Sequence, residues 1–376
     1  MKGVALSFAL LFVIVSLGTS NLRAQTEPPV FQQALNEFNR KDYAKAIETF
    51  KQYLTQYPND AGAHFNIGLS YYNLSNYALA ESSFRQAIRL KPDYVPGHVY
   101  LGSSLSFGNK YNEAIAALMK ALELEPNSAD AYFELGLAHY RQKNYTAALQ
   151  SYRRSAEIAP RAGTYYRIGA TLGWLDKAVE AQAAYEKAIS LGIKNGYAQY
   201  ELARLYGTSQ RYTDAIRLLK EAVTLVPDYA LAHYELGTTY NEVKQFPLAI
   251  SAFKTSITLD PKSAPSHLGL GNSYYNDKKY VESIPHYLKA FELSPRWEVA
   301  GVYLGDAFTF AGQPTQAIAT FNKVLAINPK NTGAIYGIGV VHVQQKNIVL
   351  AQQQLEKLEL LDKTQADKLR ERIRTM

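Results

Sequence analysis

The feature that most constrains this chain is a period. Proline recurs at Pro58, Pro92, Pro126 and Pro160, and again at Pro227, Pro261, Pro295 and Pro329, each series stepping by 34 residues. A fixed period of this size means an array of short helical hairpins, each burying its apolar face on its neighbours. One unit is written out between Ala129 and Pro160 as an apolar-periodic helix, a polar turn and a second helix. Proline ends that second helix because it has no amide donor and restrains the residue before it.

Small residues keep the same register. Taking Gly136 as position 8 and Pro160 as position 32, position 8 is Ala34, Gly68, Gly102, Gly136, Gly169, Ala203, Gly237, Gly271, Gly305 and Gly339. Position 20 is Ala46, Ala80, Ala114, Ala148, Ala181, Ala215, Ala249, Ser283, Ala317 and Ala351. Small side chains at both places let the two helices of a unit approach to roughly 8–10 Å between axes. Larger groups at position 24, such as Phe50, Phe84, Tyr152, Phe253 and Phe321, then interdigitate around them.

Gly or Ala at 8, an aromatic near 11, Ala at 20, an aromatic or Leu at 24 and Pro at 32 together resemble the tetratricopeptide repeat family. Ten units fit, from about Glu27 to Gln365. The resemblance implies an all-α fold: antiparallel helix pairs stacked into a right-handed α-solenoid whose inner groove holds a peptide or part of a partner protein. At 376 residues the chain is filled by these units, which leaves no room for a separate catalytic domain. Hydrophobic residues at 47% suffice for a continuous core, and most of the 29 Tyr fall on repeat positions.

The net charge of +7 suggests anionic partners at first sight. Lys2 and Arg23 precede the repeats, however, and a further +3 sits in the tail from Lys363 onward. The solenoid itself is near balance, so neither nucleic acid nor a membrane surface is expected as a partner.

Residues 1–24 read as a secretory signal, with Lys2, an apolar run from Val4 to Leu17 and a short polar end at Ala24. The run is short of the roughly 20 apolar residues of a membrane span. Cleavage after Ala24 is expected, with Ser20 as the alternative. With no Cys in the chain, disulfides and a lipid anchor on an amino-terminal cysteine are both excluded. Export without disulfides points to a bacterial envelope, the periplasm first.

Residues 25–29 form a short linker, and the solenoid runs over residues 30–365. The fifth unit, near residues 162–195, lacks one residue and has Ala178 for Tyr and Ile193 for Pro. It is either harmless drift or a divider between two blocks. Residues 364–376 form a last amphipathic helix and basic tail, with Ala366, Leu369 and Ile373 on one side, as the cap of a solenoid requires.

No residue set points to catalysis. His64, His98, His233 and His267 all fall on position 4, which reads as packing because no carboxylate recurs beside them to complete a metal site. Gly269, Gly271, Gly337 and Gly339 lie inside first helices and read as packing glycines, not a dinucleotide loop. No cofactor, no metal and no enzymatic activity are expected.

In the family resembled, the first helix turns positions 2, 5, 9, 12 and 13 to the groove, and these share one helical face. Here they supply Phe65, Tyr72, Asn73, Phe133, Tyr140, Arg141, Tyr166, Trp174, Tyr200, Arg204, Tyr234, Asn241, Asn272, Tyr275, Asn276, Phe310 and Tyr336. The expected groove is aromatic and rich in amides, and it lacks the Lys/Asn/Arg set with which chaperone-binding relatives clamp a terminal carboxylate. The leading reading is a non-enzymatic interaction scaffold binding a protein segment. A glycan-binding or polysaccharide-export scaffold is the alternative, since aromatic rings also stack on sugars.

Overall fold

The structure, a computed structural model, describes residues 28–375. The expected signal sequence and the first part of the linker lie outside the described residues. Among the described residues there are 21 α-helices and no strand, arranged in two compact bodies that divide between Gln142 and Lys143. That division falls in the turn of the fourth unit, not at the irregular fifth.

The first body contains α1 (Pro29–Asn39), α2 (Tyr43–Leu54), α3 (Ala61–Asn73), α4 (Tyr77–Leu90), α5 (Val95–Phe107), α6 (Tyr111–Leu124) and α7 (Ala129–Arg141). The second begins with α8 (Tyr145–Ile158), α9 (Ala162–Trp174), α10 (Ala178–Ser190), α11 (Tyr197–Thr208), α12 (Tyr212–Leu225), α13 (Ala230–Glu242) and α14 (Phe246–Leu259). It continues with α15 (Ala264–Asn276), α16 (Tyr280–Leu293), α17 (Glu298–Phe310), α18 (Pro314–Ile327), α19 (Thr332–Gln344), α20 (Ile348–Leu361) and α21 (Lys363–Arg374). Within each body every helix packs on the next, so each is an α-solenoid of helix-turn-helix units.

Local chemistry sets the helix ends. Asp42, Asp60, Asn76, Ser128, Asn144, Ser263, Asn331, Asn347 and Asp362 each accept a hydrogen bond from the amide three residues on, satisfying an orphan donor of the helix that follows. First helices stop at a left-handed residue at position 15. This holds for Lys41, Ser75, Asn109, Lys143, Asp176, Gln210, Lys244, Lys278, Gly312 and Lys346. Only one of the ten is glycine, so the turn accepts about 1 kcal/mol of strain per unit to reverse the chain in three residues.

The core is built on the register read from the sequence. Every position-20 side chain is at most 1% exposed. The Phe253 ring lies between the position-8 glycine of its own unit and a glycine of the next: a Cβ on Gly237 would come within 2.9 Å of it, and one on Gly269 within 2.4 Å. Phe321 repeats this between Gly305 and Gly337, at 2.4 and 2.2 Å. Close packing at this density leaves no space for a methyl group.

The position-4 histidines bind the carbonyl of the preceding position-32 proline through Nε2. His64 reaches Pro58, His98 reaches Pro92, His233 reaches Pro227 and His267 reaches Pro261, at 3.0, 2.9, 3.1 and 3.3 Å. The fifth unit keeps the same tie without either residue, because Gln199 Nε2 donates to the Ile193 carbonyl at 3.1 Å. Ile193 is buried, and Gly192 and Gly196 adopt positive φ to carry the altered loop.

Two other departures are explained by burial. Glu37, where the pattern has an aromatic, is buried yet accepts from Thr49 at 2.6 Å and Gln33 at 3.0 Å, beside Lys45 at 3.4 Å. Burial raises its carboxyl, and those partners outweigh it, leaving the group below its ordinary range. In the tenth unit, Leu369 of α21 is fully buried and fills the space in front of Gly339, where a Cβ would meet it at 2.5 Å. Helix α21 therefore substitutes for the position-24 side chain, and Leu355 is only partly buried.

Candidate groove on α13 and α15

The second body holds a cavity of about 700 Å³. Its walls are Tyr234, Thr238, Asn241 and Glu242 of α13, Pro265, Leu268, Gly269, Asn272 and Asn276 of α15, with Lys244, Phe246, Phe253 and Trp297 from turns and a second helix. Apart from Gly269 at position 6, the α13 and α15 residues fall on positions 2, 5, 9, 12 and 13, the face expected to bind. Helical spacing brings them to one side, and 34-residue register sets the two rows beside each other.

The amides are held, not loose. Asn241 Oδ1 accepts from the Ser273 hydroxyl at 2.9 Å. Asn272 Oδ1 accepts from the buried Tyr287 hydroxyl at 2.8 Å, which leaves its Nδ2 donors for a ligand. Apolar surface comes from Tyr234, Phe246, Leu268 and Trp297. The wall is therefore mixed, apolar rings beside fixed polar groups, and a concave site whose few placed polar groups orient a ligand is the usual form of a binding pocket.

The cavity takes Tyr234, Asn241, Asn272 and Asn276 from the expected set. Tyr275 is half-buried beside it, edge-on to Tyr280 and Phe310 at 5.1 and 5.8 Å. Phe310 itself is 47% exposed and stacks on Tyr280 at 5.2 Å. Trp174 is the most open aromatic residue of the set at 62%, and its ring lies parallel to Tyr145 at 5.5 Å. Arg204 is exposed and pairs with Glu201 at 3.0 Å. Tyr166 is half-buried against Tyr185, and Tyr336 accepts from Arg372 of α21 at 3.0 Å.

In the first body the same face is more closed. Tyr72 shares a hydrogen bond with Ser103 at 2.9 Å, and burial raises its hydroxyl well above the ordinary range. Tyr77, Phe107 and Arg141 form a three-layer stack, with rings 4.6 Å apart and the guanidinium 3.6 Å from the Phe107 centre. Asn73 is exposed and folds back onto the Leu69 carbonyl at 2.8 Å, while Phe133 and Tyr140 are half-buried.

Phe65 and Tyr200 do not belong to an open groove. Each is 8% exposed, under the tyrosine that precedes the next first helix: Tyr94 lies 5.0 Å from Phe65, and Tyr229 lies 4.9 Å from Tyr200. Burial pushes the Tyr200 hydroxyl up to about 12. Position 34 is thus the signal that sequence reasoning missed. Where it is aromatic, the preceding position-5 ring is covered; in the seventh unit it is Ser263, and Tyr234 stays half-open at the cavity. Trp297, at the same position one unit later, becomes a wall.

Among the described residues no helix is long and apolar enough to cross a membrane. The family model described as tetratricopeptide repeat matches residues 31–95, 101–163, 176–230 and 200–264, and a second model of that description matches 311–373. No curated protein matches the sequence significantly. Among solved structures, the C-terminal part of a TPR repeat-containing protein from Cytophaga hutchinsonii is similar at a TM-score of 0.50 and 20% identity, over 64% of this chain and 99% of that one. YrrB, described as a TPR protein with an unusual peptide-binding site, gives 0.44 and 21%, over 49% and 95%. The Cut9–Hcn1 hetero-tetramer of APC/C gives 0.46 and 16%, over 92% and 83%. At such identities the likeness to the first is one of fold.

Proposed function

Because the chain belongs to the tetratricopeptide repeat family, we propose that it is a non-enzymatic interaction scaffold that seats an extended peptide or protein segment against α13 and α15. The observation that carries this reading is the cavity lined by Tyr234, Asn241, Asn272 and Trp297. Its rings supply contact area at low entropic cost, and its tethered amides supply donors for a main chain that brings no partner of its own. The test is selection of a displayed random peptide library on the full chain. Enrichment that disappears on Tyr234→Ala or Asn272→Ala, with unfolding temperature little changed, supports the reading; no enrichment on the wild type overturns it.

We further propose that the scaffold works in a bacterial envelope. Support comes from Lys2, the apolar run from Val4 to Leu17 and the Ala24–Gln25 junction. Amino-terminal sequencing of the protein from its host should begin at Gln25, and an intact Met1 would remove the proposal.

A further inference from the structure

The binding face continues past the cavity onto α17, where position 9 changes character. On α15 that position is Asn272; on α17 it is Asp306. No hydrogen bond or ion pair reaches the Asp306 carboxylate among the described residues, although it is half-buried near Tyr275, Tyr287 and Tyr303. Burial alone pushes the group up to about 7. An unpartnered carboxylate in such surroundings is destabilising, and a cation arriving from outside would relieve it.

The neighbourhood suits a cation in two more ways. Tyr303 and Phe310, one helical turn to either side of Asp306 on α17, are 39% and 47% exposed, so aromatic surface is accessible on its face of the helix, and an ammonium or guanidinium is attracted to such rings. Further carboxylates, Glu235 and Glu242, lie on α13, and the arginine nearest to Glu235, Arg204, is already taken by Glu201.

We propose that the bound segment places a bulky apolar side chain in the cavity between α13 and α15 and a lysine or arginine on Asp306. This rests on the scaffold reading and names the partner's chemistry. Neighbouring first helices lie roughly 10 Å apart, and an extended chain advances roughly 3.3 Å per residue. The two side chains are therefore about three to five residues apart.

The test uses peptides selected on the full wild-type chain. They should share an aromatic or large aliphatic residue with Lys or Arg at that separation, and selection on Asp306→Asn should keep the apolar residue and lose the basic one. One labelled peptide is then titrated with its Lys or Arg changed to Gln. Either change alone should weaken binding about tenfold, and the two together should weaken it little further, as expected of a direct pair. Selected peptides without a basic residue, or losses that simply add, overturn the pairing while leaving the groove intact. Failure to select any peptide removes the scaffold reading, and this inference with it. The change on the peptide side answers the question even if the protein variant folds poorly.

Discussion

The Tyr287 hydroxyl, on a ring that is 1% exposed, donates to Asn272 Oδ1 at 2.8 Å. A core residue of α16 therefore sets which end of an amide on α15 faces the cavity. Tyr287→Phe removes only that hydroxyl. The expected cost in stability is about 1 kcal/mol, the net worth of one hydrogen bond. Affinity for a selected peptide should fall roughly three- to tenfold, since the amide loses its preset orientation. Fluorescence anisotropy beside thermal unfolding checks this, and unchanged affinity would mean that Asn272 does not touch the ligand.

Position 34 gives a second prediction, because it governs whether the groove is open. Tyr229 covers Tyr200, whereas Ser263 stands at the equivalent place beside Tyr234. Ser263→Tyr should close the cavity and abolish peptide capture. Its stability effect should be small: loss of the Ser263 cap on the Ser266 amide costs about 1 kcal/mol, and ring burial offsets it. Peptide capture that survives this change would place binding elsewhere.

The fold was legible because each repeat position has one physical task that few residues perform. Gly or Ala at 8 and Ala at 20 permit close approach, and Pro at 32 ends a helix. Substitutes are readable only in three dimensions. Gln199 does the work of a histidine, and Leu369 reaches Gly339 from a separate helix. The groove was legible in part. Position 5 shares the binding face by helical geometry, yet Phe65 and Tyr200 are roofed by rings from the next loop. Joint truncation of Tyr200, Tyr234 and Tyr275 would therefore mix a core defect with a binding defect. Asp306 falls on position 9 of the same face, but its burial near tyrosines of neighbouring helices is readable only in three dimensions.

The glycines give a prediction with a built-in control. Gly337→Ala would drive a Cβ to 2.2 Å from the fully buried Phe321 ring, which Gly305 blocks from behind. Overpacking of this kind costs about 3 kcal/mol. Gly173, near the end of α9, has nothing within 4 Å of its Cβ direction, so Gly173→Ala should stabilise by about 0.5–1 kcal/mol through helix propensity. Thermal unfolding of both variants should move in opposite directions; a tolerated Gly337→Ala would mean the ring has room to shift.

Stability against pH should report two opposed groups in the second body. His286 stacks parallel to Tyr274 at 5.5 Å and faces His267 at 6.3 Å. Burial, with His267 and Lys254 nearby, holds it down near 4, below the ordinary 6.5. A histidine lowered on folding makes the fold lose stability as pH falls from about 6.5 towards 4. Asp306 acts the other way: burial raises it from 3.8 to about 7, so its contribution is present below 3.8 and is lost as pH rises towards 7. In the wild type these slopes partly cancel. Asp306→Asn removes the second, so its advantage over the wild type should grow from near zero at pH 4 to roughly 2–4 kcal/mol at neutral pH, while its loss of stability on acidification steepens. His286→Phe keeps a stacking ring and should flatten that acid loss. Unfolding temperatures of the three proteins at intervals from pH 4 to 7 decide it, and parallel wild-type and Asp306→Asn curves would show that the carboxyl is solvated and carries no penalty.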